Sequence, residues 1–153
     1  MTSGFNCGKE GLVVSGRITV PFNYSAGRTA SRFLKELRDH RRILGKRCPN
    51  CLKVWAPPQA FCVECFVEAH EWVELPPDGL LLAHSWVALS KPHRPPLNPL
   101  IYGLIRLRGA SNNFVHLIRT DDPSDLKNGT RVKAVFSEQR RGHILDIAYF
   151  CPV

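Results

Sequence analysis

A mainly β chain with an N-terminal helix, a four-cysteine metal module and a C-terminal barrel of five strands is predicted by three observations. One amphipathic stretch precedes the cysteines. Two Cys-x-x-Cys pairs follow, ten residues apart. Beyond them lie five short runs rich in branched and aromatic residues, separated by proline, glycine and asparagine turns.

The helix is read from periodicity. Ala30, Phe33, Leu34, Leu37 and Leu44 fall on one face of a 3.6-residue repeat. Arg28, Arg32, Lys35, Arg38, Arg42 and Lys46 lie mostly off that face. Ser25 or Thr29 can cap the start, and Gly45 can end it. Arg41 falls on the apolar face, where it must snorkel or meet a carboxylate. Ahead of the helix, residues 1–16 carry four glycines and no period, which predicts a tail, and residues 17–25 read as a short extended segment.

Cys48 and Cys51, then Cys62 and Cys65, form two knuckles. Four thiolates at this spacing are the ligand set of a structural zinc ion, which replaces a core that some 20 residues cannot supply. Rubredoxin-like iron is the chemical alternative. Four protein ligands leave no open position for water, so hydrolysis at the metal is not expected. Cys7 and Cys151 lie outside the module, and neither has a nucleophile-activating neighbour in sequence.

The strand runs are 80–89, 101–108, 113–119, 131–136 and 144–150. Val132, Ala134 and Phe136 alternate with Arg131 and Lys133, and Phe114, His116 and Ile118 alternate with Val115 and Leu117. The separators are the proline-rich loop 91–99, GASNN (109–113), DDPSDLKNG (121–129) and RRG (140–142). Five strands with unequal loops fit an OB-type or another small barrel. His84 and His116 read as barrel histidines, and Asp146 as an edge or arginine-paired carboxylate. These signals divide the chain into a tail and basic helix (1–46), a zinc ribbon (47–68) and a barrel (69–153).

Of 153 residues, 21 are Lys or Arg and 13 Asp or Glu, a net charge of +8. Residues 1–53 hold 11 basic and 3 acidic side chains, whereas 54–153 are balanced. This basic front end suits phosphate groups or an acidic protein surface. A nucleic-acid-binding module is a competing reading, with Trp86, Tyr102, Phe114, Phe136, Tyr149 and Phe150 as stacking candidates. The near-neutral barrel weakens it. No apolar run reaches membrane-spanning length, no basic-then-apolar leader opens the chain, and a cytoplasmic protein with reduced cysteines is expected. There is no GxGxxG, Walker loop or HExxH.

The order PFNYSAG (21–27), helix, LGKRCPNC (44–51), APPQAFCVEC (56–65), Trp72, Gly79, five strands and DIAYFCP (146–152) resembles the acyl-CoA-associated proteins that join a rubredoxin-like zinc ribbon to an OB fold. Pro57-Pro58 matches that family's step between knuckles. Leu126, Gly129, Val132 and Phe136 match its late barrel turn and strand. The resemblance implies that Cys48, Cys51, Cys62 and Cys65 are zinc ligands. The family places Gly after each knuckle's second Cys, where a positive φ is easiest; this chain has Leu52 and Phe66.

The resemblance further implies a small, non-catalytic partner subunit in a hetero-oligomer, with a coenzyme A ester as substrate of the complex. The partner it implies is a thiolase-like catalytic subunit (an acyltransferase acting on a β-ketoacyl-CoA); the chain resembles the small subunit of a thiolase pair, such as the benzoylsuccinyl-CoA thiolase of anaerobic toluene degradation. An acyl-CoA aldolase or hydratase is the alternative. Arg38, Arg41, Arg42 and Lys46 are the residues expected to meet CoA phosphates or the partner.

Overall fold

The computed structural model describes residues 16, 18–87 and 100–153. Cys7 and the proline-rich loop 91–99 lie outside the described residues. Helix α1 (Gly27–His40) is followed by β1 (Ile43–Arg47), β2 (Val54–Trp55) and β3 (Glu71–Leu75), then by β4 (Asp78–Val87), β5 (Leu100–Leu107), β6 (Phe114–Ile118), β7 (Arg131–Phe136) and β8 (Ile147–Pro152). The first three strands form an antiparallel sheet in the order β2-β1-β3, and the last five close a barrel in the order β4-β5-β6-β8-β7. This is the helix, zinc-ribbon region and five-stranded OB-type barrel expected from the sequence. No described helix is long and apolar enough to cross a membrane.

The helix is shorter than its periodicity predicts. It stops at His40 because Arg41 takes a left-handed conformation (φ 56°) and the end is closed by the Arg41 N–H to the Leu37 carbonyl and the Arg42 N–H to the Glu36 carbonyl. Arg41 is therefore a cap residue and not a cation on an apolar face. Leu44, counted above as a helix position, lies in β1 and is buried there (6% exposed). Phe33 and Leu37 are the helix residues that enter the core.

Strand β1 is the centre of the ribbon sheet. Ile43 to Lys46 are all buried, and a side chain on Gly45 would run into Val54 and the carbonyl of Trp55. The ribbon's sheet thus takes in residues on both sides of 47–68. The barrel joins it through the GASNN loop. Val54 accepts from the Ser111 backbone and donates to its hydroxyl, and the Asn112 amide exchanges hydrogen bonds of 2.8 and 2.9 Å with the Ala56 backbone. In effect, a turn of the barrel extends the edge of β2.

Inside the barrel, Ile101, Ile105 and Leu107 from β5, Ile118 from β6, Val132 from β7 and Phe150 from β8 are at most 1% exposed. Gly79 lies where β4 passes between β7 and β5, paired with Val132 and Leu107, and a Cβ there would strike the Arg106 carbonyl. His116 points inward, stacked on Phe114 and edge-on to Phe150, with Nε2 3.3 Å from the Ile144 carbonyl. Burial holds its pKa below the ordinary histidine value, against a smaller opposing effect of its backbone hydrogen bonds.

The expected last strand begins late. Residues Ile144–Asp146 form a 3-10 turn capped reciprocally by His143 and Asp146. Asp146 is neither at a solvent edge nor paired with arginine. It is 3% exposed and accepts from the backbone N–H groups of Arg141, Gly142 and His143. It is the anchor of the β7–β8 connection.

Two outcomes follow. Asp146→Ala leaves three part-buried backbone donors without their acceptor and should lower stability by about 3 kcal/mol, read by urea unfolding with an unchanged slope. His116 stays neutral in the fold while the unfolded chain protonates near pH ~6.5. Its effect on stability is therefore absent above that pH and becomes a loss as pH falls below it. His116→Phe should flatten this part of the stability-versus-pH curve.

Candidate metal centre

The two knuckles are built alike, each from a backbone hook that the local sequence closes. Cys48 donates its N–H to the Lys53 carbonyl (2.9 Å) and accepts from Leu52 (3.1 Å); Cys62 donates to Val67 (2.9 Å) and accepts from Phe66 (3.0 Å). This turn forces the residue after the second cysteine to positive φ, 60° at Leu52 and 56° at Phe66. Both positions carry large apolar side chains that are 66% and 82% exposed. The backbone cost without glycine is about 1 kcal/mol at each site. The Lys53 ammonium bridges the two knuckles to both oxygens of Glu64 at 2.6 Å.

The hooks bring Cys48, Cys51, Cys62 and Cys65 together, with all four Sγ atoms within 4.8 Å of one another. Cys51 and Cys62 Sγ are 3.7 Å apart. Sulfurs at ~2.3 Å from a tetrahedral ion stand about 3.8 Å apart, so the set fits zinc. Cys48 and Cys62 are buried, and Cys51 and Cys65 half-buried. The crowded thiols titrate unlike one another. Burial pushes Cys62 up, but the N–H groups of Cys65 and Glu64 and the neighbouring sulfurs outweigh this and hold it at about 6. Hydrogen bonding to Cys51, then burial, pushes Cys65 up to about 12. Four sulfurs this close cannot all carry negative charge without a cation among them, which is the chemistry of a structural Zn(Cys)4 site.

The other residues singled out in the sequence are dispersed. Arg38 is paired with Asp39, and Arg42 with Glu36 and Glu74. Arg41 caps the helix C-terminus. Lys46 lies elsewhere, on β1, with its ammonium 5.2 Å above the Trp72 ring. The four do not form one cluster. Cys151 is half-buried in β8, its thiol 3.7 Å from the Lys133 carbonyl. Of the aromatic candidates, Phe114 and Phe150 fill the core, whereas Trp86 and Tyr102 are exposed. Ser111 and Asn112, which fasten the barrel to the ribbon, looked in sequence like ordinary turn formers. Their contacts to Val54 and Ala56 span more than 50 residues, and no local signal marks them.

Protein purified without chelators should carry about one zinc per chain by elemental analysis. Cys48→Ser or Cys62→Ser should lose the metal and unfold the ribbon, and acid should release it as protons compete for sulfur. Leu52→Gly and Phe66→Gly should keep full metal content and raise thermal stability by up to ~1 kcal/mol each.

Comparison with known proteins agrees with this construction. Residues 35–71 match the rubredoxin-like zinc ribbon domain of ChsH2, and residues 72–137 match its C-terminal OB-fold domain. A search of curated proteins gave no significant match. Among solved structures, a DUF35-family protein of unknown function from Sulfolobus solfataricus is 20% identical, with a TM-score of 0.59 over 71% of this chain and 78% of that one. The Ltp2–ChsH2(DUF35) aldolase is 20% identical, with a TM-score of 0.61 over 84% of this chain and 98% of that one. The expectation of a thiolase-like catalytic partner is corrected by this last match, because the ChsH2 chain of the same architecture is paired there with Ltp2 in an aldolase. Two adjoining domain models, with the four-cysteine cluster in the first of them, place this chain in the ChsH2/DUF35 family of zinc-ribbon and OB-fold proteins.

Proposed function

We propose that this chain is the accessory subunit of an aldolase that acts on an acyl-CoA ester, with the reacting groups supplied by the partner. The observation that carries the reading is the likeness in fold to the Ltp2–ChsH2(DUF35) aldolase, which extends over 98% of the matched chain. The character of the metal centre supports it. A closed set of four thiolates organises a fold and offers no coordination position to substrate. A ribbon that displays Leu52, Phe61, Val63 and Phe66 to solvent also has apolar surface of the kind that protein partners cover.

In this division of labour the ribbon sheet, held by the four sulfurs on one side and the Ser111–Asn112 clamp on the other, is a rigid platform. The partner would dock on it and carry out carbon–carbon bond cleavage. Tagged protein recovered gently from its native host should bring with it an acyl-CoA enzyme, and the recovered complex should cleave a β-hydroxyacyl-CoA by a retro-aldol step. The isolated chain should not. A recovered complex that only hydrates enoyl-CoA would replace the aldolase by the hydratase alternative. Activity in the isolated chain would overturn the accessory role.

A further inference from the structure

The excess of positive charge is divided unequally by the fold. Arg38, Arg42, Arg47, Lys53 and Arg108 each have a carboxylate partner. Among the described residues, Arg28, Arg32 and Lys46 have no carboxylate within salt-bridge distance. These three line one groove of about 810 Å³ between the start of α1 and the ribbon, with Trp72 in its wall. Glu68, which also lines it, faces His70 at 3.9 Å.

Lys46 is the unusual member. Its register on β1 sets it between Trp55 and Trp72 on the neighbouring strands, and it is only 7% exposed. No described hydrogen-bond acceptor or carboxylate meets its ammonium, which stands 5.2 Å from the centre of the Trp72 ring. The Arg32 guanidinium stands over that same ring at 4.5 Å. A ring under two cations offsets part of their desolvation but supplies no counter-charge.

The helix start adds to this field. Its N-cap is Ala26, which offers no side-chain acceptor, and no acidic residue lies in the first turn. Gly27 donates to the Ser25 hydroxyl. The N–H groups of Arg28 and Thr29 have neither an intrahelical acceptor nor a cap. The positive end of the helix dipole and two cations from its first turns thus face the groove beside the Lys46 ammonium, which has no carboxylate partner among the described residues.

We propose that this groove is a binding site for a small phosphorylated ligand, with a phosphoryl or pyrophosphoryl group seated between Lys46, Arg32 and the open N–H groups of α1. A phosphoryl group suits this set because it accepts from several donors at once and carries more than one negative charge. Pro58 and Phe61, on the ribbon side of the groove, give an apolar wall to an organic portion. Inorganic pyrophosphate and a nucleoside diphosphate share the required chemistry. The inference does not depend on the identity of the enzyme partner.

The test is calorimetric titration of the zinc-loaded full chain at low salt with inorganic phosphate, pyrophosphate and ADP, with tryptophan fluorescence as a second readout. Saturable one-to-one binding of pyrophosphate or ADP is expected. Tighter binding of ADP would assign the apolar wall to a nucleoside, and equal binding would assign the site to the phosphates alone. Lys46→Met and Arg32→Gln should each weaken binding at least tenfold, while Arg41→Gln, at the other end of the helix, should leave it unchanged. Should Lys46→Met fail to fold, Arg32→Gln and Arg28→Gln decide the matter, since both side chains are on the surface. Absence of saturable binding to all three probes, or equal weakening by Arg41→Gln, would overturn the proposal.

Discussion

The burial of β1 on both faces is the constraint on which the rest of the molecule depends. Five residues, Ile43 to Arg47, are the middle strand of the ribbon sheet and lead directly into Cys48, the first ligand of the metal centre. The helix lays Phe33 and Leu37 into the same core cluster as Ile43 and Leu44. Leu75, paired with Ile43, belongs to the same core cluster as the barrel residues Leu107 and Val132. Burial of this continuous apolar surface, at roughly 25 cal/mol per Å², makes helix, ribbon and barrel one packed body instead of three modules on linkers. Gly45 is required here because any side chain would separate β1 from β2.

Knuckles so firmly based can tolerate unfavourable backbone. Leu52 and Phe66 occupy the left-handed region that glycine would fill at lower cost, yet both hooks close and all four sulfurs converge. The apolar side chains that bear this strain are also among the most exposed on the ribbon. Strain and exposure together at a surface are better accounted for by contact with another protein than by the stability of this one.

Charge is sorted by the same scaffold. The C-terminal half of α1 and the edges of the ribbon neutralise their arginines locally, through Asp39, Glu36, Glu74 and Glu71. Exposed pairs of this kind add little to stability. At the opposite end of the helix, around Trp72, Arg28, Arg32 and Lys46 have no such partner among the described residues.

By itself the sequence determined the order of the modules, the four sulfur ligands and most of the barrel. Those properties reside in local spacing and in the two-residue and 3.6-residue periods of burial. The positive φ at Leu52 and Phe66 was suggested only by the resemblance, through the glycines that the family places there, and the structure decided it. The helix end was not, because Leu44 continues the helical period by coincidence while being buried by a sheet. The role of Asp146 escaped, since an acidic residue among apolar neighbours does not reveal which backbone donors a turn will fold over it. The clamp of Ser111 and Asn112 on Val54 and Ala56 and the separation of Lys46 from Arg38, Arg41 and Arg42 were decided only in three dimensions. Each depends on residues that are distant in the chain and are brought together by the burial of β1 between helix and barrel.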